Sequence, residues 1–191
     1  LFDNIDLVIH LAAITDAASS FKRQKEVEEV NYKGTKIIAK ICSRKNIPII
    51  FPSTTSIYGT QKEKVDEQCS IEDLKPQSPY AESKLKSELL LKKMGEENNL
   101  KFVILRLGTI FGTSIGMRFH TAVNKFCWQS VMNIPLSVWS TAMNQRRPYL
   151  GVNDASRVFH FIIRKKLFYN EIYNVVSINT TVADILKEIK S

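Results

Sequence analysis

The chain has 191 residues, 44% of them hydrophobic and 24% charged, which suits a compact globular domain with a sizeable core. We expect no membrane span, because no apolar run approaches the roughly 20 residues required. The three cysteines, Cys42, Cys69 and Cys127, are widely scattered; their spacing matches no metal site and favours a reducing cytoplasm. The net charge is +8, but the basic residues are dispersed, so we expect no nucleic-acid partner; weak steering of an anionic substrate fits equally well.

The first elements predicted along the chain are a short strand and a long helix. Residues Asp6 to Ala13 form an apolar run rich in branched side chains, typical of a buried parallel strand. The small residues at its carboxyl end allow a flat cofactor to lie against the backbone, since ligands of open α/β sheets bind at that edge. His10 is interpreted as a hydrogen-bonded core histidine. In the helix predicted over residues 20 to 45, Asn31 is either a buried amide that supports the neighbouring strand or an ordinary polar residue.

The middle of the chain predicts a second strand, a loop and the longest helix. The strand covers Ile47 to Phe51 and the loop Tyr58 to Pro79. The helix covers Tyr80 to Asn98, with an apolar face expected at Leu85, Leu89 and Leu90. A third strand is predicted at Phe102 to Leu107, followed by a less regular region to Val131.

The last part of the chain predicts shorter elements. They are a short strand at Pro135 to Trp139, an extended piece at Arg147 to Gly151, a helix at Asp154 to Lys165 capped by Asn153 or Asp154, a strand at Glu171 to Val176, and a helix capped by Thr180 or Thr181 that runs to Ser191. Because strands and helices alternate, the fold class is α/β with a doubly wound, Rossmann-like parallel sheet.

Three residues around the second strand and the longest helix carry the chemistry. Tyr80 and Lys84 are four residues apart and share one helix face. A phenol has a reference pKa of about 10, and a nearby ammonium lowers that value by favouring the phenolate. Thr54, just after the second strand, can hydrogen-bond a substrate oxygen whose proton Tyr80 exchanges while a hydride moves to or from a nicotinamide. The Tyr-x-x-x-Lys spacing alone is weak evidence, because many surface helices carry it.

The glycine-rich turn that holds a dinucleotide pyrophosphate is not found. None of the seven glycines falls within the first 33 residues, so no G-x-G-x-x-G motif opens the chain. The later series Gly108, Gly112 and Gly116 has no following Lys-Ser/Thr, so it is not a phosphate-binding P-loop.

Seven motifs in order resemble the NAD-dependent epimerase/dehydratase family, the extended short-chain dehydrogenase/reductases. They are Asp6-Leu-Val-Ile-His-Leu-Ala-Ala13, Asn31-Tyr-Lys-Gly-Thr35, Ser53-Thr-Thr-Ser-Ile-Tyr-Gly59, Ser78-Pro-Tyr-Ala-Glu-Ser-Lys84, Leu105-Arg106 with Gly112, Arg147-Pro-Tyr149 with Asp154, and Ile172-Tyr-Asn-Val175. The resemblance implies part of an NAD(P)-binding Rossmann domain over residues 1–112. It also implies part of a nucleotide-sugar lobe over residues 113–191, interleaved with the last Rossmann elements.

The same resemblance implies roles for individual residues. Tyr80 is the expected catalytic base, Lys84 its activator and the holder of the nicotinamide ribose, and Thr54 the hydroxyl partner. The residues expected to border the NAD are Leu11, Ala12, Ala13, Asn31, Ser53, Tyr80, Lys84 and Leu107. The residues expected to face a nucleotide-diphosphate sugar are Thr54, Thr109, Asn124 and Arg147, with Arg147 on the pyrophosphate. For Asn124 an ordinary helix-surface amide is an equal alternative, and Thr109 stands where many members have Asn.

Departures from the family pattern limit the expected function. The first strand, glycine-rich turn and helix of the family are not in this sequence, so we expect a piece of a longer protein that by itself does not bind NAD usefully. NADP is not excluded, because the residues that select the cofactor lie outside the sequence. The family's sugar 4,6-dehydratases carry Asp-Glu directly after the catalytic Thr, whereas Thr55 and Ser56 stand here.

Simple oxidation and reduction at a carbinol is therefore favoured over elimination of water. An epimerase, which recycles its NAD, and a reductase, which consumes NAD(P)H, both remain open. A non-catalytic binding or regulatory protein is the alternative of another class. The family also implies a homodimer built from the Tyr80 helix and the helix before it.

Overall fold

The computed structural model describes residues 2–60, 64–138 and 140–190 and divides the chain into two compact units. Unit 1 comprises Leu1–Arg106 with Lys165–Asn174, and unit 2 comprises Leu107–Arg164 with Val175–Ser191. The boundary expected from the sequence lay after residue 112. Within the described ranges, every helix is too short or too polar to span a bilayer.

Unit 1 is built on a four-stranded sheet in the order β1-β2-β3-β6. Its elements are β1 (Val8–Ile9), α1 (Ala17–Ser20), α2 (Gln24–Val27), a π-helical segment (Glu28–Lys33), α3 (Gly34–Lys45), β2 (Ile49–Thr54), 3-10 turns (Thr55–Tyr58 and Ile71–Asp73), α4 (Pro79–Asn98), β3 (Phe102–Leu107) and β6 (Glu171–Val175). Every residue of β2 is buried, as expected for a central parallel strand with both faces covered. This sheet confirms the predicted α/β class.

The strand β1 is shorter than predicted. Val8 and Ile9 pair in parallel with β2, and the His10 amide still donates to the Ile50 carbonyl. The Leu11 amide then turns back to the Ile9 carbonyl at 3.1 Å, which ends the ladder. The chain leaves the sheet there, so Leu11 to Ala13 form a loop at the carboxyl end of β1 and not the end of a strand.

The helix predicted over residues 20 to 45 is interrupted twice. The chain leaves helical geometry between α1 and α2, and the turns from Glu28 to Lys33 are π-helical. Such wider turns are rare and frequently mark functional positions. Here the widened turns carry Asn31, whose side chain is buried.

The longest helix, α4, has a different buried face from the one expected. Ser78 caps its N-terminus by accepting a hydrogen bond from the Ala81 amide at 3.2 Å, with Pro79 as the first helical residue. Leu89 is 36% exposed, and the buried residues are Ala81, Ser83, Lys84, Ser87, Glu88, Leu91 and Met94. Of the predicted apolar face, Leu85 and Leu90 are partly buried and pack against core clusters, whereas Leu89 is exposed. The fully buried stripe was not predicted, because four of its seven residues are polar and escape a hydrophobicity pattern.

Unit 2 contains a three-stranded sheet in the order β4-β5-β7, with β4 parallel and β7 antiparallel to β5. Its elements are β4 (Thr109–Phe111), α5 (Ala122–Val131), a 3-10 turn (Ser140–Ala142), β5 (Arg147–Gly151), α6 (Val152–Lys165), β7 (Ile178–Thr180) and α7 (Val182–Lys190). The sequence missed β4, α5 and β7. The predicted strand at 135–139 is irregular over residues 135–138, and Trp139 lies outside the described residues.

Two helix caps were tested by the structure of unit 2. Helix α6 begins at Val152, so neither Asn153 nor Asp154 is its cap; the Asp154 carboxylate instead accepts from the Ser177 hydroxyl. The cap of α7 is confirmed, since the Thr181 hydroxyl oxygen accepts from the Asp184 amide at 3.1 Å. Ser191, where that helix was expected to run out, lies outside the described residues.

Candidate active site

The carboxyl end of β2 carries the predicted hydroxyl residues. Ser53 and Thr54 are both buried there. The Thr54 hydroxyl oxygen accepts from the Ser56 amide at 3.2 Å, which starts the 3-10 turn Thr55–Tyr58. The strand and its turn therefore hold Thr54 in a fixed backbone setting.

Helix α4 brings Lys84 to the same strand end. The side chain is 4% exposed, and its ammonium donates to the Pro52 carbonyl at 2.7 Å and lies 4.5 Å from the centroid of the Phe51 ring. Burial lowers the pKa of Lys84 to about 8, and the Glu88 carboxylate opposes this shift. An ammonium has three N–H donors. Lys84 is thus a buried cation bonded to the carbonyl of the residue that precedes Ser53 and Thr54.

Tyr80 lies in the first turn of α4, where the Ser78 cap sets the start of the helix. Its side chain is half-buried, its amide donates to the Ser20 hydroxyl at 3.3 Å, and its carbonyl accepts from the Ser83 hydroxyl at 2.7 Å. Because Tyr80 precedes Lys84 by four residues, both project from one face of the helix. All three predicted catalytic residues thus belong to unit 1, and of the two on α4, Lys84 contacts β2.

The loop after β1 is tied to the same helix by Asn31. The Asn31 side-chain oxygen accepts from the Ile14 amide at 2.7 Å, and its nitrogen donates to the Ile14 carbonyl at 3.0 Å and to the Ser83 hydroxyl at 2.9 Å. Asn31 is therefore a buried amide, as the first of the two alternatives predicted, but it supports the loop after β1 and helix α4 rather than a strand. Leu11 is 67% exposed and Ala12 is exposed, so both side chains present apolar surface at the carboxyl end of β1. Their contact with a cofactor stays a prediction. Ala13 is half-buried.

His10 is the core histidine that the sequence predicted. Its Nε2 lies 3.0 Å from the Thr35 hydroxyl oxygen. Because that hydroxyl donates to the Asn31 carbonyl, Nε2 of His10 carries the proton and donates. Burial, with a smaller contribution from Lys84, lowers the pKa of His10 to about 4, so the ring is neutral near pH 7.

The other predicted site residues lie in unit 2. Leu107 is half-buried, whereas Thr109 on β4 and Arg147 on β5 are exposed. The Arg147 guanidinium donates to the Gln145 side-chain oxygen at 2.8 Å. An exposed guanidinium with a single neutral partner is suited to pairing with an anionic ligand.

Asn124 is buried in α5 and is not a helix-surface amide. Its side-chain oxygen accepts from the Gly112 amide at 3.0 Å, and its nitrogen donates to the Arg118 carbonyl at 3.1 Å. The side chain thus holds the loop between Gly112 and Arg118. A contact of Asn124 with a diphosphate stays a prediction.

Sequence reasoning missed a buried network behind β2. Glu88 of α4 and Arg106 of β3 form an ion pair, and their side chains are only 1% and 3% exposed. Within this pair, Arg106 Nη2 donates to Glu88 Oε2 at 2.7 Å, and Arg106 Nε donates to both carboxylate oxygens at 3.2 Å. The Ser53 hydroxyl donates to the same carboxylate. Arg106 Nη1 donates to the Tyr58 hydroxyl at 2.7 Å, which donates to the Asn174 side-chain oxygen at 2.9 Å. The available signal was a charged residue inside the apolar run Phe102–Leu107.

Comparison with known proteins identifies relatives of this chain. The sequence model of the NAD dependent epimerase/dehydratase family matches residues 1–175. A dTDP-D-glucose 4,6-dehydratase of Dictyostelium discoideum is 30% identical, covering 93% of this chain and 42% of that protein. An uncharacterized UDP-glucose epimerase of Bacillus subtilis is 27% identical, covering 92% of this chain and 54% of that protein. The chain thus spans about half the length of the curated relatives it matches.

A solved structure provides a further comparison. The UDP-glucuronic acid 4-epimerase of Bacillus cereus, in complex with NAD and a fluorinated UDP-sugar, superposes with a TM-score of 0.88. It is 25% identical, and the match covers 99% of this chain and 60% of that chain. The fold of this chain is therefore that of the Rossmann-type epimerases and dehydratases.

Proposed function

This chain belongs to the NAD dependent epimerase/dehydratase family, a family of enzymes, and from that premise we propose that it carries the catalytic part of a nucleotide-sugar epimerase. The reaction is oxidation of a carbinol carbon of a nucleotide-diphosphate sugar, followed by reduction of the keto sugar from its opposite face. NAD, which Lys84 and the loop from Leu11 to Ala13 would help to hold, would supply the hydride acceptor and donor for both steps. The net reaction leaves the cofactor unchanged.

The observation that carries the proposal is the position of Lys84. Its ammonium is anchored on the Pro52 carbonyl, immediately before Ser53 and Thr54. That bond ties helix α4, which carries Tyr80 in its first turn, to strand β2. A buried cation is costly to maintain, and a cation beside a phenol supports proton exchange.

Each residue of the trio has a defined task in the proposed reaction. Tyr80 takes the proton from the substrate hydroxyl during oxidation and returns it to the carbonyl oxygen during reduction. Lys84 supports the phenolate through its positive charge and holds the nicotinamide ribose. The Thr54 hydroxyl hydrogen-bonds the substrate oxygen and orients it toward Tyr80.

The remaining predicted site residues have binding tasks. The residues that border the NAD are Leu11, Ala12, Ala13, Ser53 and Leu107. Asn31 supports the loop that carries Leu11, Ala12 and Ala13. Arg147 pairs with the substrate pyrophosphate, and Thr109 and Asn124 lie along the nucleotide. These assignments rest on the order of the family motifs together with the exposure of Leu11, Ala12, Thr109 and Arg147.

Elimination of water, the reaction named for the Dictyostelium relative, is the second candidate. It requires a carboxyl acid and base near the reacting carbons, and Thr55 and Ser56 supply neither. Among the carboxylates of the described residues 2–60, 64–138 and 140–190, only Glu88 is buried, and it is bonded to Arg106 and Ser53. This arrangement favours epimerisation.

The proposal is tested by turnover of UDP-sugars with the natural protein and its Tyr80→Phe variant. We expect an epimer without net NADH, and a loss of kcat of about 100-fold or more in Tyr80→Phe, the usual contribution of a general base. The control is Tyr169→Phe, since Tyr169 is an exposed tyrosine whose hydroxyl has no assigned task. Stoichiometric consumption of NAD(P)H identifies a reductase instead. A natural protein that turns over no UDP-sugar, and whose biological activity Tyr80→Phe leaves unchanged, is a binding protein instead.

We also propose that two copies associate through α3 and α4. Between these helices lies an open groove of about 680 Å³. It is lined by Tyr32, Lys36, Lys40, Ser43, Arg44, Lys86, Leu89, Leu90, Lys93, Met94, Glu97 and Asn98. Leu89 and Ile37 leave apolar surface exposed on the same pair of helices.

A cytoplasmic location is proposed as well, supported by three free cysteines.

A further inference from the structure

The buried face of α4 carries a second charged side chain one turn beyond Lys84. Glu88 is paired with Arg106, and both side chains are almost wholly removed from solvent. Taking two charges out of water usually offsets their mutual attraction, so a buried ion pair is weak evidence for a gain in stability. A task other than stability therefore explains the pair better.

The pair anchors both ends of one short segment. At the start of the segment, the Ser53 hydroxyl donates to the Glu88 carboxylate. At its end, the Tyr58 hydroxyl accepts from Arg106, whose guanidinium carbon also lies 5.0 Å from the centroid of the Tyr58 ring. Thr54 lies between these two anchors. Its position thus depends on a network that it does not itself join.

The same carboxylate acts electrostatically on Lys84. Residues four apart on a helix are neighbours, so Glu88 lies one turn from the ammonium. Among residues 2–60, 64–138 and 140–190, the other groups that the structure records against Lys84 carry no charge: the Phe51 ring, the Pro52 carbonyl and the neutral His10. Burial lowers the pKa of Lys84 and the Glu88 charge raises it. Loss of that charge also leaves the Arg106 cation uncompensated, which disfavours the ammonium further.

We propose that Glu88 is a positioning residue: with Arg106 it fixes the Ser53–Tyr58 segment that carries Thr54, and its charge acts on Lys84 one helical turn away. Glu88 does not touch the substrate. The activity part of this inference rests on the proposed function, whereas the effect on Lys84 does not.

The test compares Glu88→Gln with the natural protein and with Glu96→Gln, which removes an exposed carboxylate from the same helix. The ionisation of Lys84 is followed by NMR of protein with ¹³C-labelled lysine, and its signal is assigned by its absence in Lys84→Met. In Glu88→Gln we expect Lys84 to titrate below pH 8. We also expect the alkaline limb of the pH profile of kcat to move to lower pH with it. At pH 7 we expect kcat to fall about tenfold, with little change in KM. Glu96→Gln leaves all of these unchanged.

If Glu88→Gln folds and its Lys84 titrates at the same pH as in the natural protein, the proposed effect of the Glu88 charge on Lys84 is overturned. If that variant does not fold, Glu88→Met with Arg106→Met removes both charges at similar volume, an exchange that folded proteins often tolerate. We expect this double variant to fold and to lose about tenfold in kcat, since Ser53 and Tyr58 lose their anchors. A kcat equal to that of the natural protein overturns the positioning role. If the natural protein turns over no UDP-sugar, the proposed function fails, and the Lys84 titration still decides the effect of Glu88.

Discussion

Lys84 is the residue at which stability and the proposed activity oppose each other. Its ammonium is buried against an aromatic ring and one carbonyl, and burial depresses its pKa from 10.5 to about 8. Below pH 8 the folded state therefore carries the full penalty of a buried cation. Between pH 8 and 10.5 the unfolded chain binds more protons than the folded one, so the free energy of unfolding rises with pH through that window.

Replacement of Lys84 by Met removes this penalty. We expect the free energy of unfolding at pH 7 to rise by about 1–2 kcal/mol, less than the pKa shift alone implies because the Pro52 carbonyl loses its partner. The rise between pH 8 and 10.5 should disappear, and turnover should be lost. Chemical denaturation at several pH values checks this. Lys86→Met is the matched control, since Lys86 is exposed and pairs with Glu28 at the surface, and it should change stability by less than about 0.5 kcal/mol.

The sequence predicted the trio but not the network around it, for a physical reason. Thr54, Tyr80 and Lys84 were predicted because their spacing has a chemical meaning and because they lie in two of the seven ordered family motifs. Glu88 and Arg106 are far apart in sequence, and only the packing of α4 on β3 brings them together. A charged residue in a predicted core strand signals a buried partner without identifying it.

At the scale of elements, the turn between β2 and α4 depends on Gly59. Its φ of 70° lies in the left-handed region, and an added Cβ would meet the Lys75 carbonyl oxygen at 2.4 Å. No L side chain fits there without backbone movement. The Ser53–Tyr58 segment is thus closed by a position that requires glycine.

Substitution of Gly59 by Ala tests this requirement. We expect the free energy of unfolding to fall by about 2–3 kcal/mol, from strain at a positive φ together with the clash. Turnover should fall as well, since Thr54 belongs to the same segment. Gly116→Ala is the control, because a Cβ there meets nothing within 4 Å. Equal unfolding midpoints for the two variants in denaturant would show that the turn adapts without penalty.

The elements predicted best are those with strong local signals. The helix α4 has a Ser-Pro start and an Asn99 end in the left-handed conformation, and β2 is a compact apolar run. The short strands β4 and β7 have only three residues each, too few for a periodic pattern. The π-helical segment was also missed, because its wider turns follow from the hydrogen bonds of Asn31 to Ile14 and Ser83 rather than from propensity.

For the whole molecule, the charge of the α3–α4 groove affects association. Five of its lining residues are basic, namely Lys36, Lys40, Arg44, Lys86 and Lys93, and one, Glu97, is acidic. A two-fold dimer brings the same patch of both copies together, so like charges face one another. Apolar contact at Leu89 then competes with repulsion that salt screens.

We therefore expect the dimer to strengthen as ionic strength rises. Between about 0.01 M and 1 M salt the screening length falls from about 30 to 3 Å, which should remove most of the repulsion. Sedimentation analysis across this range measures the dimer dissociation constant. The Lys40→Glu variant should dimerise more tightly at low salt than the natural protein. A dimer that weakens with added salt, or a monomer throughout, would refute this account of the groove.

The central claim, transient oxidation at one carbinol carbon, is tested most directly with a deuterated substrate. The natural protein is given NAD and a UDP-sugar deuterated at the carbon that inverts, and the product is analysed by NMR and mass spectrometry. We predict an epimer that keeps its deuterium on the same carbon, with no net NADH. A product lighter by one water, or NADH formed in step with product, would contradict the claim and identify a dehydratase or a dehydrogenase.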